Sequence, residues 1–121
     1  MKKLYVVDSI SKYRLYLDKS LTVSVDRPMG VRHPRFDTVY ELNYGYIDGT
    51  VAGDGMEIDA YIIGPKGPVD VFRGVCVALL VRRDDNEHKL VVANHRLTET
   101  EIKNKTHFIE RFFNSYVVLA G

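Results

Sequence analysis

Cysteine is nearly absent from the chain. A lone Cys76 cannot form a disulfide within the molecule, and it sits in the apolar run "GVCVALLV", where a small buried hydrophobe is the ordinary role. Redox chemistry therefore has little support. Charge of one sign is also missing, because 17 Lys and Arg against 16 Asp and Glu leave a formal net charge of +1. Nucleic acid would call for a continuous basic field with exposed aromatics, so a nucleic-acid partner is not expected. No apolar stretch approaches the roughly 18 residues of a membrane span, and "MKKLYVVDSISKY" is too weakly apolar for a signal peptide. A cytoplasmic protein without membrane contact is expected. The four histidines show no ligand spacing, such as two placed four apart on a helix, which argues against zinc.

What remains is an ordinary globular composition, 45% apolar and 27% charged over 121 residues, which predicts one domain spanning residues 1–121. Glycine and proline cut the middle of the chain into short pieces suited to strands and turns. "LTVSV" alternates with period two, "IDAYIIG" and "VCVALLVR" read as buried strands, and "KLVVAN" makes a fourth. "RRDDNEHK" between the last two reads as a hairpin tip. "DSISKYRLYLDKS" fits a short helix through Ile10, Tyr13 and Leu17, or a strand through Tyr13, Leu15 and Leu17. Near the end, Thr98 followed by Glu101 is a capping box opening a helix whose face carries Ile102, Thr106, Ile109 and Phe113. Strands first and a helix last predict a mainly β fold, a small barrel with flanking helices.

The chemistry concentrates in "YELNYGYIDGTVAGDGMEIDAYIIG", residues 40–64. Asp54-Gly55 is a hairpin signal, so its acid can be present for backbone reasons alone. Asp59 differs, because it lies inside an apolar strand where a carboxylate is costly unless paired or metal-bound. Asp84, Asp85 and Glu87 occupy a second tip with Lys89 beyond them, and "VDRPMGVRHPRFD" supplies Asp26, Arg27, Arg32, Arg35 and Asp37. Carboxylates facing arginine, lysine and tyrosine suit a hard cation, Mg²⁺ or alternatively Mn²⁺, together with a phosphate-rich anion.

"VDRPMGVRHPRF", "NYGYIDGTVAGDGMEIDAYIIG", "DDNEHKLVVAN" and "HFIERFF" together resemble the soluble, magnesium-dependent inorganic pyrophosphatases, in order and spacing, over about residues 20–116. The resemblance implies a five-stranded OB-like barrel with outer helices and hydrolysis of pyrophosphate by a metal-activated water. By family analogy it implies a homo-oligomer. It implies metal-binding roles for Asp54, Asp59, Asp84 and Glu87, and phosphate-binding roles for Lys89, Arg35 and Arg32. Tyr44 and, more loosely, Tyr40 match active-site tyrosines. Two departures stand out. Met56 occupies the place of the central motif's middle acid, with Glu57 beside it as a substitute only if the turn is irregular. Phe112 and Phe113 replace a Tyr-Lys pair that binds phosphate, and read as helix core. A second reading therefore stays open: the same fold with little hydrolysis, serving as a metal or phosphate-ligand binding module or acting on another phosphoanhydride.

Overall fold

A computed structural model describes residues 10–121. Residues 10–14 are helical (α1), followed by turns over 15–18. Strands β1 (Ser20–Arg27), β2 (Asn43–Ile47), β3 (Ile58–Ile63), β4 (Val71–Arg82) and β5 (Lys89–Ala93) precede helix α2 (Glu99–Glu110) and strand β6 (Ser115–Leu119). The strands run in the order β1-β2-β3-β5-β4-β6, and an added β1–β4 pairing closes five of them into a barrel. The expected five-stranded barrel is thus present. β6, which the sequence pattern did not reveal, lies antiparallel against the outer half of β4.

Residues on the two faces of each strand build two separate cores. Val23, Ile47, Ile58, Ala60, Ile62, Cys76, Leu79, Val81, Leu90 and Val92 come from all five barrel strands and fill the interior. Tyr44, Tyr61, Ile63, Leu80, Val91 and Ala93 point outward and meet Ile102, Phe108 and Ile109 of α2. Period-two alternation divides β3 cleanly between these two sets. In β4 the register shifts between Cys76 and Ala78, and this bulge places Leu80, and with it Arg82, on the face toward α2.

Local chemistry explains the elements. Thr98 Oγ1 accepts from Glu101 N at 3.1 Å and Glu101 Oε1 accepts from Thr98 N at 2.9 Å, the reciprocal cap expected from the sequence. Tyr13 of α1 is 2% exposed whereas Leu15 is 70% exposed, so the helical reading of that segment wins over the strand reading for its described part. Residues 8 and 9 of that reading lie outside the described residues. Gly45 in β2 sits where a Cβ would collide with the backbone carbonyl of Ser24, so only glycine lets β1 and β2 approach. Phe112 departs from expectation: it lies beyond the helix end, 41% exposed, stacked on Phe36 at 4.3 Å between centroids. Phe113 is half-buried and only flanks the outer core.

Candidate active site

Where the outer core ends, a chamber of about 250 Å³ opens between the barrel, the loop after β1 and the end of α2. Its wall carries four cations, Arg27, Arg35, Arg82 and Lys89, and four carboxylates, Asp26, Asp59, Asp85 and Glu87. Tyr40, Tyr44 and His33 complete the polar lining, with Phe36, Ile109 and Phe113 on the apolar side.

Strand register assembles the centre of this wall. The parallel pairing that sets Ala60 beside Leu90 also brings Asp59 next to Lys89, one residue earlier on each strand. Lys89 Nζ lies 3.2 Å from Asp59 Oδ2, and its side chain is 6% exposed. The phenol of Tyr44 donates to the same oxygen at 2.7 Å. Asp59 is therefore paired, as a carboxylate in an apolar strand must be. Burial, then the neighbouring Asp59 charge, raises the Tyr44 pKa well above the usual phenol range, so Tyr44 stays a donor. Tyr40 is also raised, chiefly by burial, although Arg27 beside it pulls the other way.

The rim is electrostatically loaded. Burial raises the Asp26 pKa, and repulsion from Asp59 adds to it. Glu87 is raised as well, by burial first, with Lys89 opposing and a hydrogen bond to the adjacent Asp54 carboxyl contributing. His33 is lowered, by burial and then by Arg35, Arg27 and Arg82. Its Nδ1 accepts from the backbone N–H groups of Arg35 and Phe36, each at 3.1 Å, which fixes the loop that presents Arg35.

Of the sequence-predicted residues, Asp59, Tyr44, Tyr40, Arg35, Lys89 and Glu87 converge on the chamber. Others do not. Asp54 is exposed at a turn where Gly55 has φ 85°, and its Oδ1 accepts from Met56 N at 3.0 Å. Its geometry matches the backbone explanation of a hairpin acid, although it stands beside Glu87 at the rim. Asp84 turns away and accepts from Asn114 N at 3.1 Å, and Asp85 takes the place on the wall. Arg32 pairs with Asp37 at 2.8 Å on the surface. Glu57 is half-buried but outside the lining, so it does not replace the missing acid, and Met56 is 63% exposed. Asp26, Arg27 and Asp85, which the sequence offered only as members of charged clusters, are wall residues too, and Arg82 is a wall residue that the sequence did not single out.

This donor set bears directly on a metal. Among the described residues, no three His, Cys, Asp or Glu side chains are grouped to hold an ion. Asp54, Asp59, Asp84 and Glu87 are thus not gathered as one ion site among the described residues, and Asp54 and Asp84 each turn one carboxylate oxygen to a backbone N–H group. The wall does fit a different arrangement. Mg²⁺ is commonly held by one or two carboxylates, with water and substrate phosphate supplying the rest, and Asp59, Asp85 and Glu87 offer such oxygens inside one chamber.

Comparison with known proteins places the fold. The chain is similar to the crystal structure of inorganic pyrophosphatase from Ehrlichia chaffeensis, with 18% identity and a TM-score of 0.69 over 86% of this chain and 88% of that one. It is similar to an inorganic pyrophosphatase from Coxiella burnetii at 16% identity and a TM-score of 0.61, covering 87% and 86% of the two chains. An inorganic pyrophosphatase from Helicobacter pylori gives 17% identity and a TM-score of 0.58, covering 84% and 82%. No curated protein matches by sequence. At such identities the structures establish the architecture, whereas membership rests on the family description "Inorganic pyrophosphatase", which matches residues 8–120. With nearly the whole chain matched and a barrel that carries Asp59, Lys89 and Tyr44 on one wall, the chain belongs to the inorganic pyrophosphatase family.

Proposed function

We propose that the chain hydrolyses inorganic pyrophosphate to two phosphates, with Mg²⁺ entering as part of the substrate complex and meeting Asp85 and Glu87. One observation carries this reading: a buried Lys89 and an acceptor carboxylate 3.2 Å apart on one wall, faced by Arg27 and Arg35 across a chamber of about 250 Å³. Bound Mg²⁺ neutralises phosphate charge and acidifies a coordinated water.

The chain's own residues supply the remainder. Lys89, Arg27 and Arg35 hold the phosphate oxygens and offset charge that would repel a nucleophile. Tyr44 and Lys89 both engage Oδ2 of Asp59, which fixes the carboxylate and leaves Oδ1 to accept a proton. Water attacks one phosphorus, its proton passes to Asp59, and the bridging P–O bond breaks toward the other phosphate. No covalent enzyme intermediate is needed, because positioning and charge stabilisation carry the step.

A second reading, binding with little turnover, draws support from the unassembled carboxylate group and from Met56. The test is phosphate release from pyrophosphate, tripolyphosphate and nucleotides, with Mg²⁺, with Mn²⁺ and with chelator. Release from pyrophosphate that chelator abolishes supports hydrolysis. Calorimetric binding of Mg²⁺ and pyrophosphate without release supports the binding module.

A further inference from the structure

Two charged groups on the wall, Asp26 and Arg82, lie outside the mechanism above, and Arg82 is the cation of the two. Arg82 ends β4, and its side chain is 8% exposed although it lines the chamber. Glu110, the last residue of α2, grips it from one side: Nε donates to Oε1 at 3.2 Å and Nη2 to Oε2 at 2.8 Å. Tyr61 in turn donates its hydroxyl to Glu110 Oε2. The Phe113 ring lies against the guanidinium, with Cζ 3.7 Å from its centroid. Burial alone would lower the Arg82 pKa, but hydrogen bonding and the charge of Glu110 overcome it, so the group remains cationic.

We propose that Arg82 is a phosphate ligand of this chamber, supplying from β4 the cation that the family takes from the lysine replaced here by Phe113. The proposal rests on the phosphate-binding part of the reading above. A guanidinium has five N–H donors, and Glu110 takes two of them. Three are left, and among the described residues their neighbours are the Tyr61 hydroxyl and Asp85 Oδ2, the latter 3.7 Å from Nη1 and beyond hydrogen-bond range. An ion pair made for packing alone gains little over apolar residues of the same volume, and gives no reason to keep donors at a cavity wall. A cationic fork with its plane fixed by a carboxylate and a ring is, by contrast, preorganised for a tetrahedral anion. The β4 bulge makes this possible, since without it Arg82 would point into the barrel. Phe113 is then more than a loss: its ring forms the platform that a lysine at that position could not provide.

Removing Arg82 alone strands a buried Glu110, so the informative variant is the double change Arg82→Met with Glu110→Gln, made in the full chain. The probe is imidodiphosphate, a non-hydrolysable pyrophosphate analogue, titrated calorimetrically with Mg²⁺ present. We expect the double variant to bind at least tenfold more weakly while keeping a cooperative melting transition. Adding Phe113→Lys to it should restore at least threefold, whereas in the parent the same change should gain less than twofold because Arg82 already fills the role; an equal gain in both overturns the proposal. A folded double variant within twofold of the parent overturns the proposal and leaves hydrolysis standing. An unmodified protein that binds imidodiphosphate through Arg82 but releases no phosphate upholds the proposal and removes the hydrolase reading. If the double variant does not fold, Arg82→Gln serves, since it keeps a donor for Glu110 and removes the cation, and unchanged affinity there overturns the proposal.

Discussion

Replacing Asp59 with Asn removes one negative charge and little volume from the centre of the chamber wall. Lys89 is the group most affected. At 3.2 Å and an effective dielectric near 20, the pair attracts by about 5 kcal/mol before desolvation is counted. Desolvation offsets most of that, and the Asp59 side chain is 35% exposed, so the net loss is smaller. The Lys89 side chain, 6% exposed, would face an amide where the carboxylate stood, which costs about 1–3 kcal/mol. For a domain of this size the melting temperature should fall by roughly 3–15 °C. Turnover should fall much further, by about 100- to 10,000-fold, because the amide cannot take the proton of the attacking water. Tyr44→Phe separates the two effects: it removes the 2.7 Å hydrogen bond and keeps the carboxylate, so about a tenfold loss of kcat is expected. Phosphate release at saturating Mg²⁺-pyrophosphate and a thermal melt decide the matter. An Asp59→Asn protein that melts lower yet turns over within about threefold of the parent would make Asp59 a packing partner of Lys89 and nothing more.

Glu87→Gln should stabilise the protein at neutral pH and weaken its activity. The folded-state pKa of Glu87 is raised, by burial first, so the folded protein binds this proton more tightly than the unfolded chain does. Stability attached to that proton is present below the ordinary carboxylate pKa, about 4.3, and is lost as pH rises through the raised value. The gain from Gln should therefore show in melts at pH 7 and vanish near pH 4; an equal gain at both would refute the burial argument. Met56→Asp should change turnover by less than about twofold and stability by less than about 0.5 kcal/mol, because position 56 is exposed and outside the lining. A tenfold rise in rate would mean that this loop folds over the chamber when substrate binds.

The parts of the fold legible in the sequence were those set by local rules. Thr98 and Glu101 announce their helix because both halves of the cap lie within four residues. Asp59 was identifiable because a charge in an apolar strand needs a partner, and it has two. The acids at hairpin tips were not legible in the same way. Asp54 and Asp84 satisfy nearby backbone N–H groups, and sequence position does not tell a side chain that caps a turn from one that faces a cavity. Arg82 was hidden for a different reason. In "VCVALLVRR" strict alternation would continue from Cys76, but the bulge between Cys76 and Ala78 changes which residues face α2. β6 escaped because five residues with a single partner strand carry too little periodicity to stand out after a helix.

On the proposed reading, the charge balance of the chamber would make a divalent cation a requirement for binding as well as for chemistry. Four cations face four carboxylates on the wall, and Glu110 behind Arg82 adds a further negative charge. Asp59 and Glu110 offset the charges of Lys89 and Arg82 without using all their donors, and Arg27 and Arg35 are the wall cations with no ion pair among the described residues. Pyrophosphate is strongly anionic near neutral pH, so bare pyrophosphate would enter a field with no net attraction and would lose its hydration there. Under the proposal Mg²⁺ would reverse this by arriving with the anion, and Asp85 and Glu87 would change from repulsive neighbours into oxygen ligands. Affinity for imidodiphosphate should then collapse by at least 100-fold when Mg²⁺ is removed by chelator. Removing a carboxylate by Asp85→Asn should strengthen binding of the bare anion while weakening that of the Mg²⁺ complex. Opposite signs for one substitution are the signature of a carboxylate that works through the cation, and a change of the same sign in both titrations would refute it.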